Sequence, residues 1–329
     1  MLEDSFGRKH TYLRISLTER CNLRCNYCMP ADGIPLSPKS HLMNADEIYS
    51  IASTFVKAGV TKIRLTGGEP LVRKDARDIL KKLASLPVEL AISTNAVTTD
   101  RHIEDFKKLG IQNINISLDT LIPERFKQIT RRDYFEKVYS NIFQLLEHGF
   151  NVKINCVLMK GVNDDEIIDF IKLSEKHLLH IRFIEFMPFD GNRWNMSKLV
   201  SQQAILNCVE NVFEREAIKR IADRPNDTSR NYQIKGYKGT FAIISTVTNP
   251  FCDSCNRIRL TANGQIKNCL FSANETDLLS TLRGGESITP LIEKAIQGKF
   301  KSRGGMDTLE KFKDPAQHGQ NRSMIAIGG

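Results

Sequence analysis

The sequence predicts an α/β fold: an open, TIM-like partial barrel of six strand–helix units, followed by a smaller α+β lobe. Three observations carry this reading. Between Tyr12 and about Met187, short β-rich runs alternate with helical patterns, the order expected of parallel βα units. Several of those strand runs alternate polar and apolar residues, whereas strands buried on both faces of a parallel sheet read as continuous apolar runs. Beyond Ser197 the strand–helix alternation stops.

The strands are expected at Tyr12–Thr18, Lys62–Thr66, Val88–Thr94, Asn113–Leu118, Val152–Met159 and Ile181–Met187, and the helices at Ala45–Lys57, Lys74–Ser85, Asp100–Leu109, Phe135–His148 and Asp164–His177. Asp46 and Asp164 or Asp165 are candidate N-caps, and Gly59, Gly110 and Gly149 follow helices as stops. Leu13, Ile15 and Leu17 oppose Tyr12, Arg14 and Ser16, while Ile63 and Leu65 oppose Lys62, Arg64 and Thr66. The fourth and fifth strands repeat the pattern with Asn113, Asn115, Ser117, Lys153 and Asn155 on the polar side. If helices cover the apolar face, the polar face looks into a lumen. A closed eight-stranded barrel fills its interior with apolar side chains, so six strands with a polar inner face imply an open barrel holding a polar ligand. Residues 1–235 are expected to form this barrel and 236–329 the lobe, with Pro225, Asn226 and Asp227 marking a turn or linker before it.

Composition narrows the setting. At 329 residues with 41% apolar content the chain supports a large core. No stretch approaches the ~18 apolar residues of a membrane span, and the polar opening Met1 to His10 does not read as a signal peptide. A reducing cytoplasm is the expected compartment. The net charge of +9 favours an anionic partner, but Lys and Arg are dispersed, so a phosphorylated small molecule fits as well as nucleic acid.

The cysteines point to chemistry. Cys21-Asn22-Leu23-Arg24-Cys25-Asn26-Tyr27-Cys28 places three thiols with CxxxCxxC spacing directly after the first strand. Such a loop can ligate three corners of a [4Fe–4S] cluster and leaves the fourth iron for a ligand that is not protein. Closed zinc sites use four ligands, and no His lies within this loop. Disulfide frameworks belong to short secreted chains. A second set, Cys252, Cys255 and Cys269, again lacks a nearby fourth partner, and a zinc ribbon completed by a distant His is its competitor. Cys156, in an apolar strand, and Cys208, in a helical pattern, read as small buried hydrophobes.

With Thr66-Gly67-Gly68-Glu69-Pro70 after the second strand, the CxxxCxxC loop resembles the radical S-adenosylmethionine (SAM) superfamily. The second set, followed by Asn256-Arg257-Ile258-Arg259, together with the terminal Gly328-Gly329, resembles one family within it, the GTP 3′,8-cyclases of molybdenum cofactor biosynthesis. This resemblance extends over nearly the whole chain. It implies a partial (β/α)6 barrel of the radical SAM type whose C-terminal lobe carries a second [4Fe–4S] cluster that binds guanine. Cys21, Cys25 and Cys28 would hold the first cluster, and Cys252, Cys255 and Cys269 the second. Tyr27, Gly68, Ser117 and Met187 would contact SAM. Arg14, Lys62, Arg64, Ser93, Lys153, Arg182, Arg257, Ile258 and Arg259 would surround GTP, with Arg14, Arg257 and Arg259 in catalytic roles.

The implied reaction is a radical cyclisation. A 5′-deoxyadenosyl radical from SAM removes the ribose 3′-hydrogen of GTP, and the C3′ radical adds to guanine C8. The product would be (8S)-3′,8-cyclo-7,8-dihydroguanosine 5′-triphosphate, and the enzyme a lyase. An electron donor such as flavodoxin or ferredoxin, a downstream enzyme that receives the product, no membrane contact and a possible homodimer complete the implied setting. The Gly-Gly tail is expected to reach the active site. One departure stands out: the family's Thr-Thr-Asn-Gly after the third strand reads Ser93-Thr94-Asn95-Ala96 here, which matters if that glycine has positive φ. Rival readings are a radical SAM enzyme acting on a peptide or RNA, and a zinc-stabilised RNA-binding protein.

Overall fold

The computed structural model describes residues 1–29, 33–314 and 321–328. Its centre is a run of six parallel strands, β1 (Tyr12–Ser16), β2 (Lys62–Thr66), β3 (Glu89–Thr94), β4 (Asn113–Ser117), β5 (Asn151–Leu158) and β6 (His180–Glu185). Helices α1 (Ala45–Lys57), α2 (Ala76–Ala84), α3 (Ile103–Lys108), α4 (Pro123–Thr130), α5 (Phe135–Glu147) and α6 (Ile167–Lys176) connect them. The strand bounds lie within two residues of expectation. Helix α4, opened by Pro123, is an addition: its short amphipathic run had no distinctive periodicity to announce it.

Beyond β6 the chain adds α7 (Gln202–Glu210), a meander of β7 (Ile218–Ile221), β8 (Arg230–Ile234) and β9 (Thr240–Ile244), and then β10 (Arg257–Leu260), β11 (Gln265–Lys267) and β12 (Thr276–Asp277). Two helices, α8 (Leu279–Arg283) and α9 (Thr289–Gln297), follow. These strands flank both edges of the barrel sheet: β9 pairs parallel with β6, and β10 pairs parallel with β1. The twelve strands among the described residues make one sheet in the order β12-β11-β10-β1-β2-β3-β4-β5-β6-β9-β8-β7. Residues 235 and 236 lie between two antiparallel partners, β8 and β9, so the sheet is continuous where the sequence suggested a division.

The alternation sorts the two faces. Leu13, Ile15, Ile63, Leu65, Ile114, Ile116, Val152 and Ile154 are buried against the helices in one continuous core. That removal from water, about 25 cal/mol per Å² of apolar surface, is the main force holding the helices on the sheet. Two caps differ from expectation. Helix α1 is capped by Asn44, whose side chain accepts from the Glu47 N–H while Glu47 reaches back to the Asn44 N–H; Asp46 lies within the first turn. The short turn at Asp164–Glu166 starts from Asn163, and α6 itself opens after Glu166. Gly59, Gly110 and Gly149 end their helices at positive φ, as expected.

Ala96 adopts φ +62°, so the alanine where the family carries glycine sits in left-handed backbone. Its N–H donates to Thr94 Oγ1, and its carbonyl accepts from Asn141 Nδ2 at 2.6 Å and Thr99 Oγ1 at 3.2 Å. Those bonds hold a conformation that costs an L-residue about 1–2 kcal/mol. Glycine would relieve this and lose about 0.4–1 kcal/mol to the freer unfolded chain. Ala96→Gly is therefore expected to stabilise the protein by about 0.5 kcal/mol, seen as a higher urea midpoint at unchanged slope; a lower midpoint would contradict this account.

Candidate active site

Two cavities of about 190 Å³ each occupy the barrel lumen. They share Asn155, Ile184, Met187 and Met324 and so adjoin. The first lies at the carboxyl ends of the strands and contains Cys21, Cys25 and Cys28. Backbone contacts build it. The Gly68 N–H donates to the Thr18 carbonyl at 2.7 Å, and the Glu69 N–H to the Arg20 carbonyl at 2.8 Å, so the glycine turn crosses the cysteine loop main chain to main chain. A Cβ on Gly67 would stand 2.6 Å from Thr18 O, and one on Gly68 2.4 Å from Arg20 O. Only glycine permits that approach. On its other side the loop is tied to α4, Arg24 N–H donating to Thr130 O and Asn26 N–H to Ile129 O.

Tyr27, Gly68, Ser117 and Met187 all line this first cavity, and so does Ser93, which the resemblance had grouped with the substrate. The Tyr27 hydroxyl donates to Asp119 Oδ2 at 2.6 Å, and Asp119 Oδ1 accepts from the Val157 N–H. Glu69, fully buried, accepts from Thr94 Oγ1 and from the N–H groups of Asn95 and Leu71. Burial pushes the Cys21 thiol up to about 11 and the Cys28 thiol up to about 12. Bound iron reverses that logic, since a coordinated thiol is deprotonated outright. Among the described residues no group of His, Cys, Asp or Glu gathers tightly enough to hold a single metal ion. Three thiols around one cavity, with no fourth protein ligand beside them among the described residues, suit a cluster with one open iron.

The second cavity contains Cys252, Cys255 and Cys269 with Arg14, Arg182, Arg257, Arg259 and Arg303. Strand register assembles it. The parallel β10–β1–β2 pairing sets Arg259, Arg14 and Arg64 side by side in one row, and Arg257, Tyr12 and Lys62 in the next. Arg257 and Arg259 face the same way because β10 is extended. Burial, with neighbouring guanidiniums, presses the Arg182 and Arg259 groups down to about 9. Among the described residues no carboxylate pairs with Arg182, Arg257, Arg259 or Arg303. Buried atoms here also lack partners: Arg182 Nε and Nη2, Arg257 Nη1, Asn115 Oδ1 and Asn268 Oδ1. An unpaired buried charge costs several kcal/mol, so the arrangement demands an anion.

Other expected residues stand elsewhere. Lys62, Arg64 and Lys153 lie outside both cavity linings. Lys62 pairs with Glu89 at 2.6 Å, while Arg64 donates to the Tyr12 hydroxyl and the Ile92 carbonyl. Burial, with Arg182, Arg64 and Lys62 nearby, lowers Lys153 to about 8. Ile258 is fully buried in the helix-side core, so its side chain faces away from the lumen. Of the tail, Gly328 sits against Thr66 and Ser16 and its carbonyl accepts from Arg259 Nη1; Gly329 lies outside the described residues.

Sequence reasoning missed Asp119, Asn155, Arg303 and Met324. Asn155 was on the polar face already identified, and Asp119 follows Ser117 by two residues. Arg303 and Met324 are brought in by tertiary structure alone. Arg303 is buried, bonded through Nη1 and Nη2 to the Val247 and Asp307 carbonyls, and its backbone N–H meets Cys252 Sγ. Lys299 Nζ lies 3.7 Å from Cys255 Sγ, and Arg8 Nη1 donates to the Cys252 carbonyl. Lys299 and Arg257 oppose the effect of burial and lower the Cys255 thiol, while burial raises that of Cys269.

A parallel barrel with a glycine turn crossing a three-cysteine loop defines a radical SAM enzyme. Residues 15–174 match the family described as the Radical SAM superfamily, and residues 179–304 match Molybdenum Cofactor Synthesis C. The chain is 47% identical to the mitochondrial GTP 3′,8-cyclase of Arabidopsis thaliana over all of its own length and 84% of that protein. It is 41% identical to the GTP 3′,8-cyclase of Listeria monocytogenes, covering 99% of it, and 44% identical to human molybdenum cofactor biosynthesis protein 1, covering 51% of that longer chain. The crystal structure of Streptococcus suis SuiB bound to S-adenosylmethionine shares the fold, with a TM-score of 0.58 at 16% identity over 83% of this chain and 65% of that one. The chain belongs to the GTP 3′,8-cyclase family of molybdenum cofactor biosynthesis. No helix among the described residues is long and apolar enough to cross a membrane.

Gly68→Ala tests the crossing of the two loops. Its Cβ would force the glycine turn off Arg20 and disturb Cys21, whose Cβ would lie 3.2 Å away. A loss of at least about tenfold in SAM affinity, or about 1.4 kcal/mol, is expected, with little change in melting temperature. Wild-type affinity in the variant would show that the turn has room to adjust.

Proposed function

We propose that this chain is the radical SAM enzyme that converts GTP to (8S)-3′,8-cyclo-7,8-dihydroguanosine 5′-triphosphate, the first step of molybdenum cofactor biosynthesis. The observation that carries the substrate assignment is the group of buried guanidiniums in the second cavity, next to the SAM-side cavity, of which Arg182, Arg257, Arg259 and Arg303 have no carboxylate partner among the described residues. Cys21, Cys25 and Cys28 would hold a [4Fe–4S] cluster whose open iron takes SAM, and Cys252, Cys255 and Cys269 a second cluster beside the guanine. When bound, the first cluster and SAM would supply a 5′-deoxyadenosyl radical, given one electron from a donor such as flavodoxin or ferredoxin; loss of the C3′ hydrogen atom and ring closure leave an odd electron on the purine, so reaching the product takes one further electron and one proton.

The chain's own residues position and shield. Tyr27, Gly68, Ser117 and Met187 would hold SAM above the shared boundary of the cavities. Arg14, Arg182, Arg257 and Arg259 would take the triphosphate, each charge-assisted bond contributing about 1.5–3 kcal/mol. Lys153 and Arg64 reinforce them as nearby charges, and Lys62 does so from the lumen's lower row. Of the tail, half-buried Met324 and buried Ile325 line the first cavity, which helps to exclude water. The compartment that suits this chemistry is a reducing cytoplasm.

The direct test is an anaerobic assay of reconstituted protein with SAM, a strong reductant and GTP deuterated at C3′. Deuterium in 5′-deoxyadenosine and a product isomeric with GTP are expected; SAM cleavage without deuterium transfer would refute GTP as substrate. Arg257→Ala combined with Arg259→Ala should retain SAM binding and lose GTP turnover by at least about a hundredfold, as expected for removing two such bonds. Unchanged turnover would remove the substrate-side assignment.

A pH dependence follows. Lys153, lowered to about 8, is neutral above that pH and offers the polyanion no charge. The KM for GTP should therefore rise between pH 7 and 9 while SAM affinity stays flat; a KM that falls over this range would contradict this assignment.

A further inference from the structure

We infer that Tyr12 and Phe251 form an aromatic clamp that positions Arg257 for the substrate's polyanion, an inference that rests on assigning the second cavity to GTP. Two rings approach the same guanidinium: Arg257 Cζ lies 5.7 Å from the Tyr12 ring centroid and 5.5 Å from that of Phe251. Among the described residues its one hydrogen bond runs from Nη2 to the Asn226 carbonyl at 2.9 Å, and Nη1 is buried with no partner. A guanidinium carries five N–H donors, so most of its bonding capacity is left for a ligand.

The way this cation is held differs from the molecule's structural arginines. Arg8 is fixed by Asp4 at 2.7 Å, Arg73 by Asp75 at 2.7 Å and Arg125 by Asp165 at 2.7 Å. Each of those carboxylates orients its arginine and cancels its charge. An aromatic face orients a guanidinium through the ring quadrupole and brings no net charge of its own. Arg257 is thus fixed in direction while its full charge stays available.

The register makes Tyr12 the centre of this device. It stands opposite Arg257 on one side and Lys62 on the other. Its ring lies 5.6 Å from Lys62 Nζ, and its hydroxyl accepts from Arg64 Nε at 2.6 Å. Tyr12 therefore touches cations from both neighbouring strands. Phe251 approaches from the loop before Cys252 and lines the cavity itself. Neither residue contacts the first cavity.

The test uses reconstituted holoenzyme carrying Tyr12→Leu, Phe251→Leu, both together, and Tyr12→Phe. Each leucine variant should raise the KM for GTP about tenfold and the double variant by more, with kcat changed less than about threefold. Iron content and SAM affinity should stay at wild-type values. Tyr12→Phe keeps the aromatic face and should hold KM within about threefold. The clamp is overturned if the leucine variants leave KM unmoved, if they act by lowering iron content or SAM affinity, or if Tyr12→Phe is as impaired as Tyr12→Leu. Phe251 lies outside the sheet, so Phe251→Leu carries the test should Tyr12→Leu not fold. Arg257→Ala separates the two levels. A raised KM there with unmoved clamp variants defeats the clamp alone, whereas an unmoved KM there defeats the cavity assignment and the clamp with it.

Discussion

The parallel pairing of β10 with β1 is the constraint on which the rest of the site depends. It returns a strand from the far end of the chain to the first strand of the barrel, and so fixes where both cysteine sets stand. The first set leaves β1 at its carboxyl end; the second precedes β10 and therefore lies at the opposite end of the same lumen. A ligand between them is reached from both ends. The same pairing lines up cations from three strands, an arrangement that no single segment of the chain could produce.

That alignment works against the stability of the protein alone. Guanidiniums side by side in a low-dielectric lumen repel one another, and burial adds a desolvation penalty. The fold tolerates this because the opposite face of the central strands β1–β6 is tightly packed against helices. Neutral partners, namely the Tyr12 hydroxyl, the carbonyls of Ile92, Asn226 and Gly328, and aromatic rings, hold the cations without discharging them. The protein thus stores an electrostatic imbalance that an anionic ligand relieves, which is binding energy prepared in advance.

Much of this was legible in the sequence, for reasons that differ by element. The six central strands could be read because alternation with period 2 survives where one face is packed and the other polar. The cysteine loop and glycine turn were legible because their spacing is local. Asn44 lost to Asp46 as the expected cap because only the reciprocal bond with Glu47 distinguishes them. The division at residue 235 could not be judged, since β8 and β9 pair through backbone groups that every sequence carries. Arg303 and Met324 reach the lumen through tertiary contacts alone, and no spacing announces that. Conversely, Ile258 fell within a motif of arginines, but strand alternation turns it to the core.

The N-terminal segment ties these observations to how the molecule comes into being. Arg8 reaches the carbonyls of Cys252, Phe300 and Lys301, residues more than 240 positions away. Until β10 has been made, one edge of β1 has no partner, and an unpaired edge is a template for wrong pairing. The loop that carries Cys21 can meet its glycine turn once about seventy residues exist, whereas the loop that carries Cys252 has no seat before residue 301 is present. Contacts this distant in sequence form late. During synthesis the two thiol sets therefore mature at different times, and the second waits until residue 301 has left the ribosome.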